Sequence, residues 1–232
     1  MSLLSIVQTV TAQLSLATPS VVVGSTDRQV QQLLAVANEE GHALARRHEW
    51  QVLTEEFTFV TTAAAVQVGA IPADFDHWRP NTFFNRSTRR PITGPITPRQ
   101  WQWIQAQPVY STVYLAFRER GGQFLFAPVP PAGQAIYGEY ISVNWCKSVA
   151  AVAQAAWVAD TDTAYLDETV IQLGVRWRFL KAKGLDYAED METYERELEK
   201  VMARDGGSSM LSMSPQPVDL NRVNLPDGSF GQ

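Results

Sequence analysis

Along this 232-residue chain the spacing of apolar residues switches from helical to alternating and back to helical. That double switch constrains the fold more than any other feature, because a 3.6-residue period and a 2-residue period cannot be satisfied by one kind of element. Leu3, Val7, Val10 and Leu14 mark one face of a helix over 3–16, which Pro19 is expected to end. Thr26 and Gln29 have the form of a capping box. From Val30 through Leu33, Leu34, Ala37, Gly41, Leu44 and Ala45 a single apolar stripe then predicts a long helix over 27–49.

After Trp50 the period becomes alternating, with Phe57 and Phe59 on one side and Thr58 and Val60 on the other. Tyr114–Arg120 and Gln123–Ala127 flank Gly121-Gly122, a pair able to take the positive φ values of a primed hairpin turn. A third strand is expected at 135–143, after the turn that begins at Pro130. Between the first strand and the hairpin, Thr97-Pro98-Arg99-Gln100 combines an N-cap, a proline at N1 and a capping-box glutamine. It predicts a short helix that carries Trp101 and Ile104 inward until Pro108 stops it.

The helical period returns near Tyr165. Leu166, Val170, Leu173, Trp177 and Leu180 form one face and Ile171, Val175 and Phe179 another, so the helix over 165–183 should be buried on more than one side, with Gly184 as its stop. Tyr187, Met191, Tyr194, Leu198 and Val201 give the helix over 186–204 a narrower stripe. From 206 onward the composition turns to Gly, Ser and Pro with no period, which cannot bury enough surface to order by itself. The fold class is therefore α+β: a bundle of about four helices with an antiparallel β insert over about 55–145, together a domain over 1–205, followed by an extended C-terminal arm over 206–232.

Charge is unevenly distributed. Residues 186–205 carry eight acids against three bases, and the span from Arg79 to Arg120 carries seven arginines against one acid. Such asymmetry bears on partners rather than on fold. A single cysteine, Cys146, excludes an internal disulfide framework and reads as a small buried hydrophobe. No apolar run reaches the ~18 residues that span a bilayer, and the N-terminal stretch lacks a basic n-region, so neither a membrane partner nor an export signal is expected.

No residue set for catalysis, metal or cofactor emerges. Glu39-x-x-His42 has the spacing of a bundle di-iron ligand pair but no second copy, and His48 and His77 have no carboxylate or thiol partner at ligand spacing, so His42 and His48 read as flanking a helix. Asp74-x-Asp76 and Asp160-x-Asp162 lack the ligand count of a calcium loop and read as turn and helix-start residues, with Asp162 or Thr163 capping the helix that follows. No phosphate-binding glycine loop or nucleophile elbow occurs, which leaves no basis for an enzyme. Trp50, Trp101 and Trp177 lie on apolar stripes or at element ends and read as core. Trp78 and Trp103, with Arg79, Arg86, Arg89 and Arg90 nearby, would suit a carbohydrate- or nucleic-acid-binding module.

Several stretches, in this order along the chain, resemble the head-to-tail adaptor proteins of short-tailed bacteriophages over residues 1–204. They are Asn38-Glu39-Glu40-Gly41, Ala45-Arg46-Arg47-His48-Glu49-Trp50, Arg89-Arg90-Pro91 with Gly94-Pro95, Ala159-Asp160-Thr161-Asp162, and Lys183-Gly184-Leu185-Asp186-Tyr187-Ala188. The resemblance implies a structural virion protein without cofactor. It would be a homo-oligomeric ring, usually of twelve copies, assembled in the host bacterial cytoplasm and seated between the portal and a tail or nozzle protein, with double-stranded DNA passing through. In such a ring one flank of each subunit meets the opposite flank of the next. Arg86, Arg89 and Arg90 are then expected to face either an acidic surface, such as Glu192, Glu195 and Glu199 of an adjacent subunit, or DNA in the channel. The arm is expected to fasten to a neighbour through Met210, Leu211, Met213, Val218, Leu220, Val223, Leu225 and Phe230.

Overall fold

The computed structural model describes residues 1–106 and 114–206. In chain order these form α1 (Leu3–Gln13) and α2 (Arg28–Arg47), then β1 (Thr54–Val60), β2 (Val66–Gln67), β3 (Phe75–Trp78), β4 (Phe84–Asn85) and β5 (Arg90–Pro91). After α3 (Pro98–Gln105) come β6 (Ala116–Arg120), β7 (Gln123–Ala127), β8 (Ala135–Ser142), β9 (Cys146–Lys147), β10 (Ala153–Gln154) and β11 (Thr163–Ala164), and last α4 (Glu168–Lys183) and α5 (Ala188–Asp205). The class is α+β, with antiparallel sheets set between two pairs of helices. The C-terminal arm and Pro108 lie outside the described residues.

Helix α4 is the hub, packed against α1, α2 and α5, which explains why its apolar residues run round more than one side. Its buried positions are Val170, Ile171, Gly174, Val175, Trp177 and Phe179. Gly184 closes it at φ 71, with Leu185 N–H reaching back to the Leu180 carbonyl. Helix α5 buries only Tyr194 and Leu198, as a narrow stripe requires, and Met191 is left exposed.

Three helix ends differ from the sequence expectation. Helix α1 stops at Gln13 rather than near 16, six residues before Pro19. Ser15 takes φ 55, while its N–H and that of Leu16 bond the carbonyls of Ala12 and Thr11. A left-handed residue closing the helix, not the proline, ends it. Helix α2 is capped by Asp27, which accepts from Gln29 N–H at 2.7 Å, rather than by Thr26. Helix α4 is capped by Asp167, which accepts from Thr169 and Val170 N–H. Asp162 and Thr163 do not serve there, because Asp162 is buried and spent on the N–H groups of Val158 and Ala159, both at 2.8 Å, and Thr163 lies in β11.

Strand β8 organises the insert. One edge pairs with β1 from Thr54↔Ile141 to Val60↔Ala135, and the other carries β3 and β4. The hairpin β6–β7 turns at Gly121-Gly122 with φ 61 and 69, and it forms a separate sheet with β2 instead of continuing into β8. Helix α3 begins with the full capping box at Thr97 and Gln100 and buries Trp101 and Ile104 against this second sheet. Two cores result. One gathers the helices, Trp145 and Trp157, and the other gathers Phe57, Trp78, Phe83, Phe117, Phe124 and Phe126 with their neighbours. Successive residues of β8 divide between them, Tyr140 to the aromatic core and Ile141 to the helical one.

Candidate functional site

The stretches that carry the family resemblance form a scaffold. Asn38 Oδ1 accepts from Trp157 N–H at 2.9 Å. Beside it, Glu40 is fully buried and meets Arg178 Nε of α4 at 2.5 Å, while Glu39 takes Arg178 Nη1 at 2.6 Å. Burial pushes the Glu40 carboxyl above its usual range, and Arg178 opposes that shift. From α5, Tyr194 lies against the same carboxylate and is itself raised, first by burial and then by Glu40. Gly41 leaves room for the indole of Trp145, where a Cβ would come within 2.3 Å of the ring. Gly174 likewise leaves room for the Glu40 side chain.

Ala159-Asp160-Thr161-Asp162 works in the same way. Asp160 accepts from the N–H groups of Val22 and Val23, and the carbonyls of Asp160 and Asp162 accept from Leu4 and Leu3 N–H. One acidic loop thus pins both the start of α1 and the segment leading to α2. Asp74 does the same in the insert, holding the Tyr140 hydroxyl at 3.0 Å and the Ser142 hydroxyl at 2.6 Å. Asp74, Asp160 and Asp162 are thus committed to main-chain and hydroxyl donors, whereas Asp76 meets His77 Nδ1 at 2.7 Å and His48 lies 3.4 Å from Asp205, carboxylate partners that the sequence spacing did not show. Among the described residues no group of three or more His, Cys, Asp or Glu could hold a metal ion. Cys146 is buried in β9 and its thiol is pushed up to about 12 by that burial, then by Asp162.

The charged surfaces are less simple than the sequence count suggests. Arg86 pairs with Glu56 of β1 and lies 3.5 Å over the Tyr137 ring, and Arg79 is 3.9 Å from Glu139. The basic span is thus partly neutralised by strands that fold against it, so it is not an unrelieved repelling patch. Arg89, at φ 55, and Arg90 are exposed, and Arg90 lies 5.9 Å over Tyr114. Arg86 and Arg89 share a shallow groove with Phe84 and Glu139. On α5, Glu195 meets Arg47 of α2 at 2.5 Å, Glu192 meets Arg196 at 3.2 Å, and Glu199 is exposed.

Of the two aromatic candidates, Trp78 is buried, packed on Phe57 and Phe124 with its Nε1 donating to Glu119 at 2.8 Å. It offers no stacking face, and Trp103, 63% exposed on α3, stands without it. No described helix is long and apolar enough to cross a membrane.

Glycine slots and carboxylates committed to backbone build the scaffold, and charge is displayed on exposed strands and one exposed helix. The chain belongs to the family described as SU10 adaptor protein, a phage head-to-tail adaptor family, whose match spans residues 1–218. That is a structural family rather than an enzyme family. The match continues past α5, beyond the described residues. No curated protein matches the chain.

Proposed function

We propose that the protein forms a closed homo-oligomeric ring, of about twelve copies as in the adaptors it resembles, between the portal and a tail or nozzle protein, with double-stranded DNA passing through its centre. Adaptor family membership implies association with portal and tail proteins and a place at the head–tail junction of the virion. Assembly would take place in the host cytoplasm. The observation that supports the ring is exposed charge of opposite sign on two different elements: Arg89 and Arg90 at the start of β5, and Glu192 and Glu199 on α5. A heterologous interface places unlike surfaces of identical subunits together and repeats each contact around the closed ring. Steering by complementary patches then favours the correct flank. The part of the arm beyond residue 218 supplies the attachment that reaches a neighbouring copy, the portal or the tail, through Leu220, Val223, Leu225 and Phe230.

Native mass measurement of the purified chain, alone and with portal protein, tests this reading. A discrete closed oligomer, formed alone or on the portal, is expected. A monomer that stays monomeric with portal present overturns it.

A further inference from the structure

The last turn of α5 forms one wall of an open groove of about 510 Å³. Trp50 and Leu166 give it a buried apolar floor, and Val52 stands 47% exposed at its rim. Val201 and Asp205 face it from α5, four residues apart on one side of the helix. We propose that residues 208–218 of the same chain seat in this groove, with Met210, Leu211 and Met213 as its apolar occupants.

Where the chain leaves the helix is the first reason. Asp205 accepts from Gln51 N–H at 3.0 Å and lies 3.4 Å from His48 Nε2, so the end of α5 is tied down at the groove's mouth. Gly206-Gly207 follow, and two glycines let the backbone reverse without steric cost. From Gly206 to Met210 an extended chain spans up to about 14 Å, enough to enter the groove beside it. An occupant tethered this closely has an effective concentration on the order of millimolar, which a separate partner must exceed.

Charge selects the segment. The groove carries the carboxylates of Asp167, Glu168 and Asp205. Residues 207–218 contain no charged side chain at all, and Ser208, Ser209 and Ser212 bring hydroxyl donors; the first acid, Asp219, comes directly after. The family match ends at this same boundary, at residue 218. A segment shared by the family is suited to a surface that the family's own domain provides, whereas a partner peculiar to one virus would be met by the remainder. Methionine fits the part, because its unbranched thioether adapts to an irregular apolar floor.

Hydrogen exchange on the isolated full-length monomer decides the matter. Residues 208–214 should exchange about tenfold or more slowly than residues 222–232, with no change on tenfold dilution. Met210→Ser with Leu211→Ser, which leaves the domain untouched, should abolish that protection, and so should Val52→Asp. If Val52→Asp unfolds, the serine pair alone decides. Equal exchange along the arm, protection that appears only on oligomerisation or on adding portal, or protection that survives the serine pair overturns the proposal. Ring formation is read separately by native mass, so its failure leaves this result standing and the reverse also holds.

Discussion

In the helical bundle the largest buried side chain, Trp145, is received by a glycine of α2 and meets Trp157 edge-on at 4.9 Å. In the β insert the core is a cluster of rings, with Phe83 and Phe117 at 4.3 Å and Trp78 and Phe124 at 4.8 Å. The bundle also buries a charge, Glu40 on Arg178, whereas the polar side chains buried in the insert, Thr61, Gln67 and Asn85, are uncharged. The two regions differ in what their interiors hold beside apolar area. Glycines admit rings in both, Gly41 for Trp145 in the bundle and Gly94 and Gly138 for Phe117, Phe57 and Phe83 in the insert, but the bundle adds the buried Glu40–Arg178 pair, whereas the insert draws its apolar area from strands distant in sequence. Electrostatic changes should therefore be felt most in the bundle, and loss of a ring in either region should be costly.

The largest effects come from ring removal. Trp145→Ala should cost ~3–5 kcal/mol and lower the denaturation midpoint of the whole chain, because Trp145 sits where β8 leaves the insert and enters the helical core. Phe124→Ala should cost a similar amount but act locally, with the helical signal outlasting protection of β6–β8 in hydrogen exchange. Coincident loss of both in the Phe124 variant would show one cooperative unit and dissolve the comparison.

Arg178→Ala comes next, at roughly 3 kcal/mol near neutral pH, since it leaves the buried Glu40 carboxylate without its cation. The sign with pH follows from the raised folded pKa of Glu40. Below the unfolded value the carboxyl is protonated in both states and carries no charge penalty. As pH rises through the folded value the penalty grows, because the buried form must ionise. The deficit of the variant should thus shrink on acidification, read as the difference in urea midpoint from the parent at each pH. A deficit independent of pH would mean that Arg178 acts only through packing on Trp177, 4.7 Å away.

Gly41→Ala is smaller and sharper. A Cβ there would stand 2.3 Å from the fully buried Trp145, so strain of about 1–3 kcal/mol is expected. The better helix propensity of alanine offsets about 1 kcal/mol of it. A neutral or stabilised midpoint would show that the indole can move aside and that the bundle is less exacting than its geometry implies.

How much of this was legible follows the same division. The helices announced themselves because a long stripe repeats its period many times, and the hairpin did because Gly121-Gly122 fixes its own turn. Caps were harder: Thr26 and Asp27, or Asp162, Thr163 and Asp167, all have the right chemistry, and tertiary demand selects among them, since Asp162 is taken by the loop it closes. Strands β2, β4 and β5 are two residues each, too short for any period, and Phe84↔Tyr137 pairs residues more than fifty apart. Trp78 looked available because basic residues flank it, while Phe57, Phe124 and Tyr140 of β1, β7 and β8 join the nearby Phe75 and Phe83 in burying it. Glu40 carried a readable signal that was missed: an acid on the apolar stripe between Ala37 and Leu44, with Arg178 waiting on the facing helix.

The smallest expected effect on the monomer falls outside both cores. Arg89→Glu with Arg90→Glu changes exposed side chains, and exposed ion pairs contribute ~0–1 kcal/mol each, so the melting midpoint should hardly move. Arg86→Glu should cost more, because Arg86 pairs with Glu56 and lies over Tyr137, and its reversal sets two acids side by side across the sheet. If the exposed pair serves the ring, a contact too weak to register once is repeated at every subunit boundary, and the double reversal should block assembly with the fold intact. If instead these arginines face DNA, assembly should proceed normally and retention of packaged DNA should change. A double variant that assembles and retains DNA like the parent removes Arg89 and Arg90 from the function altogether, leaving α5 and the arm to carry the contacts.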